Sequence, residues 1–286
     1  MGKIVHVAIG STASKPADLD GNLRQIQAFA RRAAADGAQI LLTPEMSASG
    51  YGPYDDVLAT AEPAGKGPIF DALAGTAEQT GVVVCAGFCE LAEDGKRYIS
   101  HYVVYPDGRW VLQPKHRISK AEAPLEPKRW PDEPGKRKER FNYFYVGGVK
   151  CALAICADSA CLEPVDIFAE DGVELMLHPS GAGGKRPDRV TDAELATEAG
   201  RANYLRVLEQ VFFPKDAVEK CLRNRRALMA CNMVCHDGRD FYHLGHGFIV
   251  TPAGEVPGFY HGQPNLDRQR PMYAHAEIDV LDVPGA

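Results

Sequence analysis

Glu45, Lys115 and Cys156 are a carboxylate, an ammonium and a thiol, and each stands just past a short apolar run of strand length. Together they form a chemical unit. A thiolate attacks a carbonyl or nitrile carbon. A carboxylate takes the thiol proton and later activates water. An ammonium stabilises the oxyanion and lowers the thiol pKa. Taken singly, each has a plainer reading: Cys156 as a small buried residue, Glu45 as a solvated loop glutamate. Their shared placement at strand ends favours chemistry, because open α/β sheets put their sites at the carboxyl ends of strands.

The elements that must position these groups are legible from hydrophobic spacing. Residues 149–155 form an apolar run that stops at Cys156, and Asp158 or Ser159 could cap a helix continuing through Leu162 and Phe168. A helix N-terminus there would favour the Cys156 thiolate. Upstream, residues 3–10 alternate as a buried strand. Asp18 or Asp20 then caps a helix with Leu23, Ile26, Ala30 and Ala33 on one face, and Gly37 ends it. Residues 39–43 read as a second strand running into Pro44-Glu45. This β-α-β start argues for strands with helical crossovers. A helix over 68–79, a strand over 81–91 and a hairpin turning at Pro106-Asp107-Gly108 follow, and the hairpin's second arm ends at Lys115.

Residues 115–140 are long, charged and proline-rich, as functional loops often are. Beyond Cys156 the pattern predicts a strand over 174–178, a flexible glycine linker over 181–184 and one helix over 192–213. A further helical stretch covers 218–225, and strands cover 227–234, 247–251 and 272–278.

Composition narrows the function. Of 286 residues, 45% are hydrophobic and 24% charged, with a net charge of -6, which gives no global pull toward nucleic acid. The basic cluster from Lys128 to Arg140 is interleaved with acids and reads as solvated surface. Apolar runs are strand-sized, so no membrane span is expected. The N-terminus carries no secretory pattern, so the eight cysteines are expected reduced in a cytoplasm, not paired as disulfides. Cys85/Cys89 and Cys231/Cys235 are each four apart in strand-like runs, on one face of each strand, and are not read as a zinc site. His243-x-x-His246 is at most a weak metal hint.

The ordered motifs resemble one family, the nitrilase superfamily of carbon–nitrogen hydrolases, built on a Glu-Lys-Cys triad. LLTPEMSASGYGP is similar to the segment around its base glutamate, QPKH to its lysine segment and VKCALAICADSACLEP to its nucleophile segment. ELMLHPS, ALMACN, GHGFIVTPAGEV and a closing AEID are similar to the strands that follow. The resemblance covers nearly the whole chain as a single domain, 1–286. It implies an α/β fold, a four-layer α-β-β-α sandwich of two mixed sheets, and an assembly that is a homodimer or larger. It also implies hydrolysis of a non-peptide C–N bond through a thioester at Cys156, with ammonia or an amine released and no metal or organic cofactor.

Family members often carry a second glutamate after the lysine. LEPKRWPDEPG makes Glu126 the first choice for it, with Glu122 the rival. Tyr51 and Trp130 are candidate pocket walls, His178 a candidate lining residue, and the Ala157 N–H a second oxyanion donor. Ala157-Asp158 replaces the Trp-Glu typical of true nitrilases, which disfavours nitriles. Glu126 and the Trp130 loop point to N-carbamoyl substrates, with a small aliphatic or ω-amide as alternative. A non-catalytic, ligand-binding relative would carry a broken triad.

Overall fold

The computed structural model describes residues 2–52, 54–127, 140–159, 163–185, 189–210, 215–234 and 241–281. The first half runs β1 (Ile4–Ser11), α1 (Leu19–Ala35), β2 (Ile40–Leu42), α2 (Asp55–Ala59), α3 (Pro68–Thr80), β3 (Val83–Leu91), β4 (Arg97–Val104) and β5 (Trp110–Pro114). The second half runs β6 (Phe144–Val146), β7 (Val149–Leu153), α4 (Glu163–Glu170), β8 (Leu175–Ser180), β9 (Gly183–Lys185), α5 (Asp192–Leu195), α6 (Glu198–Gln210) and α7 (Lys215–Asn224). It closes with β10 (Ala227–Asn232), β11 (Phe241–His243), β12 (Gly247–Val250), β13 (Gly258–Tyr260) and β14 (Met272–Asp279).

Two six-stranded mixed sheets result. One has the order β14-β1-β2-β3-β4-β5, the other β13-β12-β10-β8-β7-β6, and β9 pairs with β11 in a separate ribbon. In the first, β1, β2 and β3 are parallel and joined by helical crossovers. In the second, β7, β8 and β10 are parallel. Their apolar residues are continuous, not alternating, because both faces are covered. Val7, Ile9 and Leu42 face Leu153, Leu177 and Met229 of the other sheet. Ala8 and Leu41 face α1 and α3 on the outside. Ala152 and Met176 pack on Val165, Phe168 and Cys221 of α4 and α7. The layers are therefore helix, sheet, sheet, helix, as the family resemblance implies.

Three expectations change. The helix expected over 192–213 is broken into α5 and α6, because Thr197 Oγ1 accepts the Gly200 N–H at 3.0 Å and restarts the helix as a cap. The glycine stretch 181–184 is not a free linker: it enters β9, which is paired to β11. The helix expected directly after Cys156 is instead a 3₁₀ turn, Cys156–Ser159, with α4 beginning at Glu163. Among the described residues no helix is long and apolar enough to cross a membrane.

Candidate active site

Glu45 lies in the turn that follows β2. Thr43 ties that turn to β3, its N–H and its hydroxyl both donating to the Cys85 carbonyl at 3.0 and 2.9 Å. Met46 has a left-handed backbone, φ 52°. A Cβ on Gly87 of β3 would stand 2.4 Å from the Met46 nitrogen, so only glycine lets the turn lie this close to the sheet. The result is a wholly buried Glu45. Its Oε1 accepts from Lys115 Nζ at 2.6 Å and its Oε2 from the Gly181 N–H at 2.9 Å.

Lys115 follows β5 without a break, and its N–H still bonds the Ile99 carbonyl of β4 at 2.8 Å. Its ammonium is also wholly buried. Besides Glu45 it donates to Glu122 Oε1 at 2.6 Å. Glu122 ends a 3₁₀ turn (Lys120–Glu122) and its Oε2 accepts the Ser119 N–H at 2.8 Å, closing a capping box. The Tyr51 hydroxyl donates to Glu122 Oε1 at 2.6 Å.

Cys156 heads its turn with φ 45°, a conformation costly for a side-chain-bearing residue and typical of functional turns. The Ser180 hydroxyl donates to its sulfur at 3.4 Å. The turn is held from two sides. Asp158 Oδ1 accepts the His116 and Arg117 N–H groups at 3.0 and 2.8 Å, fastening the Cys156 turn to the segment after Lys115. His178 Nδ1 lies 2.7 Å from Ser159 Oγ and 3.1 Å from the Ala154 carbonyl. Met46, Tyr51, Cys89, Ile155 and Met233 pack around the group.

Burial dominates the electrostatics. It raises the Glu45 carboxyl above the usual range, with the Lys115 ammonium opposing it. Burial and then the Glu45 charge push the Cys156 thiol up to about 12, again against Lys115. Burial alone would lower Lys115, but Glu45, Cys156 and Glu122 together raise it, so it stays an ammonium. At neutral pH the sulfur therefore keeps its proton, beside the Glu45 carboxyl.

The sequence residues divide as follows. Glu45, Lys115, Cys156 and Tyr51 are brought together, and Ala157 is the next residue of the Cys156 turn. Glu126 is not with them. Its N–H bonds the Arg97 carbonyl at 2.9 Å and its half-exposed carboxylate faces Lys96 at 3.9 Å, so Glu122 takes the position beside Lys115 expected for Glu126. Trp130 lies outside the described residues. His178 braces the turn from β8, and burial lowers it to about 4, so it stays neutral. Asp158 clamps the lysine segment and does not cap a helix. His243 Nδ1 lies 2.9 Å from the Gly181 carbonyl and its ring meets Tyr51 edge-on. Among the described residues no group of three or more metal-binding side chains forms around it and His246. Sequence reading gave Ser180 no role, took Gly181 for the start of a linker and His243 for a weak metal hint at most.

Residues 6–200 match the carbon-nitrogen hydrolase family. The chain is 28% identical over 239 residues to the omega-amidase NIT2-B of Xenopus laevis, covering 82% of this chain and 77% of that protein. It is 25% identical over 178 residues to a Pseudomonas protegens protein described as a hydrolase in the pqqF 5' region, of which it spans 60%. An amidase from Nesterenkonia sp. shares the fold with a TM-score of 0.71 at 21% identity, over 99% of this chain and 95% of that one.

Proposed function

The chain belongs to the carbon–nitrogen hydrolase family, and from that premise we propose that it hydrolyses a small linear amide through a thioester on Cys156. The observation that carries this reading is the buried Lys115 ammonium held between Glu45 and Glu122, with the Cys156 thiol close enough to feel the charges of both Glu45 and Lys115. Cys156 Sγ attacks the amide carbon while its proton passes to Glu45. Negative charge gathers on the carbonyl oxygen, where Lys115 Nζ and the Ala157 N–H act as donors. Collapse breaks the C–N bond, and the leaving nitrogen takes the proton from Glu45 and departs as ammonia. Water then gives Glu45 a proton as it attacks the thioester, and the carboxylic acid leaves as the proton returns to sulfur. Glu122 and Tyr51 hold Lys115 in place.

The small amide is favoured over an N-carbamoyl group for two reasons. Glu126, which with the Trp130 loop suggested carbamoyl chemistry, stands at the surface beside Lys96, and omega-amidases are among the relatives. The test is ammonia release from a panel of ω-amides, aliphatic amides, N-carbamoyl amino acids and nitriles, with Cys156→Ala alongside. Turnover confined to the amides and absent from the variant is expected. Turnover confined to the carbamoyl compounds would reverse the substrate assignment, and activity surviving in Cys156→Ala would remove the nucleophile.

A further inference from the structure

We propose that the Ser180 hydroxyl is a further catalytic group, a hydrogen-bond donor fixed on the sulfur of Cys156 that stabilises it whenever it carries charge. The inference rests on the reading of Cys156 as nucleophile. Ser180 is the last residue of β8, paired in register with Asn232 of β10. Its carbonyl accepts the Met233 N–H at 3.3 Å, so its backbone is held by the sheet. Its side chain is buried. The Ala182 N–H donates to Ser180 Oγ at 3.1 Å. That bond occupies the oxygen as acceptor and leaves its own proton to point at Cys156 Sγ, 3.4 Å away. A hydroxyl so oriented has a defined job beside a thiol.

The other groups around the sulfur do not replace it. Glu45 opposes negative charge there and holds the Gly181 N–H, the other donor beside the sulfur, on its own Oε2 at 2.9 Å, while Lys115, already committed to two carboxylates, is shared with the oxyanion. Glu122 and Tyr51 lie beyond Lys115, while His178 is turned to Ser159 and Ala154, and His243 to Gly181. Sulfur carries charge twice in the proposed cycle: as its proton leaves for Glu45 before the C–S bond is complete, and as the C–S bond of the thioester breaks. A donor on sulfur lowers both barriers. Hydrogen bonds to charged acceptors are the stronger class, so about a tenfold effect on thiol reactivity is expected.

The experiment is alkylation of Cys156 by 2-chloroacetamide, a neutral reagent that reacts with thiolate, followed from pH 6 to 10 by peptide mass, with Cys156→Ala as the blank. Ser180→Ala should slow labelling about tenfold along the rising limb and displace the limb by about one pH unit upward. Ser180→Thr and Ser180→Val are matched in shape and differ in the hydroxyl. Thr should stay near wild type and Val should follow Ala, which keeps the test decisive even if Ser180→Ala folds poorly. Rates for Ala and Val within twofold of wild type would overturn the proposal alone. Wild-type protein that leaves Cys156 unlabelled would overturn the nucleophile reading and this one with it.

Discussion

Lys115 places one ammonium between two carboxylates, each at 2.6 Å, with all three side chains buried. Removing either carboxylate's charge leaves the ammonium free to shift toward the other, and a displacement on the order of 1 Å costs about a hundredfold in rate. Glu122→Gln should therefore lower kcat by about a hundredfold while Glu126→Gln, four residues along and half exposed, stays within twofold. Parallel kinetics on the two variants decide between them. Gly181 is constrained as tightly. A Cβ there would stand 2.5 Å from Tyr51 Cε2 and 3.1 Å from Glu45 Oε2. Gly181→Ala should abolish most turnover and cost about 1–3 kcal/mol of stability by overpacking, read by kcat and by urea unfolding. The choice between the glutamates was available in the sequence, because Ser119-x-x-Glu122 has the capping-box spacing that fixes Glu122 in a turn. No such local signal marks Ser180 or Gly181. Their roles come from strands that meet only in the fold, and a glycine-rich stretch reads locally as slack.

At the scale of elements, the lysine segment and the Cys156 turn belong to different sheets and are joined by Asp158. Its Oδ1 takes two backbone N–H groups, and burial raises the carboxyl to about 7 against the Arg117 N–H and the Lys115 charge. Its Oδ2 is buried without a hydrogen-bond partner among the described residues, a place for the proton. The folded chain thus holds this proton up to about pH 7, while the unfolded chain releases it near 3.8. Between those values folding binds the proton, so the contribution to stability falls as pH rises, by about 1.4 kcal/mol per pH unit, and is flat above. Asparagine keeps a carbonyl for both N–H groups and does not titrate. Urea unfolding at pH 5, 6 and 7 should show wild type losing stability relative to Asp158→Asn across that window, and a constant difference would refute it. The longer strands were legible because both faces are apolar. The short β6, β9, β11 and β13 were not, since three-residue strands pair through backbone and have no pattern of their own.

In the whole molecule, the site belongs to neither sheet. Glu45, Lys115 and Glu122 come from the ends of β2 and β5 in one sheet, and Cys156, Ser180 and Gly181 from the ends of β7 and β8 in the other. Their mutual distances are set by the apolar layer between the sheets, where Leu42 and Ile9 meet Leu153 and Leu177. The outer layers carry no such duty: Leu73 of α3 packs on the outside of the first sheet among Ile26, Ile69 and Leu41. Leu177→Ala and Leu73→Ala each open a cavity at a wholly buried leucine and should each cost about 2–5 kcal/mol. Their effects on rate should differ. Collapse around residue 177 moves one sheet against the other and with it Cys156 against Lys115, so kcat should fall at least tenfold at a temperature where the variant is fully folded. Collapse around residue 73 shifts a helix and should leave kcat within about twofold. Equal losses of rate in the two variants would mean that the spacing between the sheets does not set the catalytic distance, and that the site tolerates strain wherever it arises.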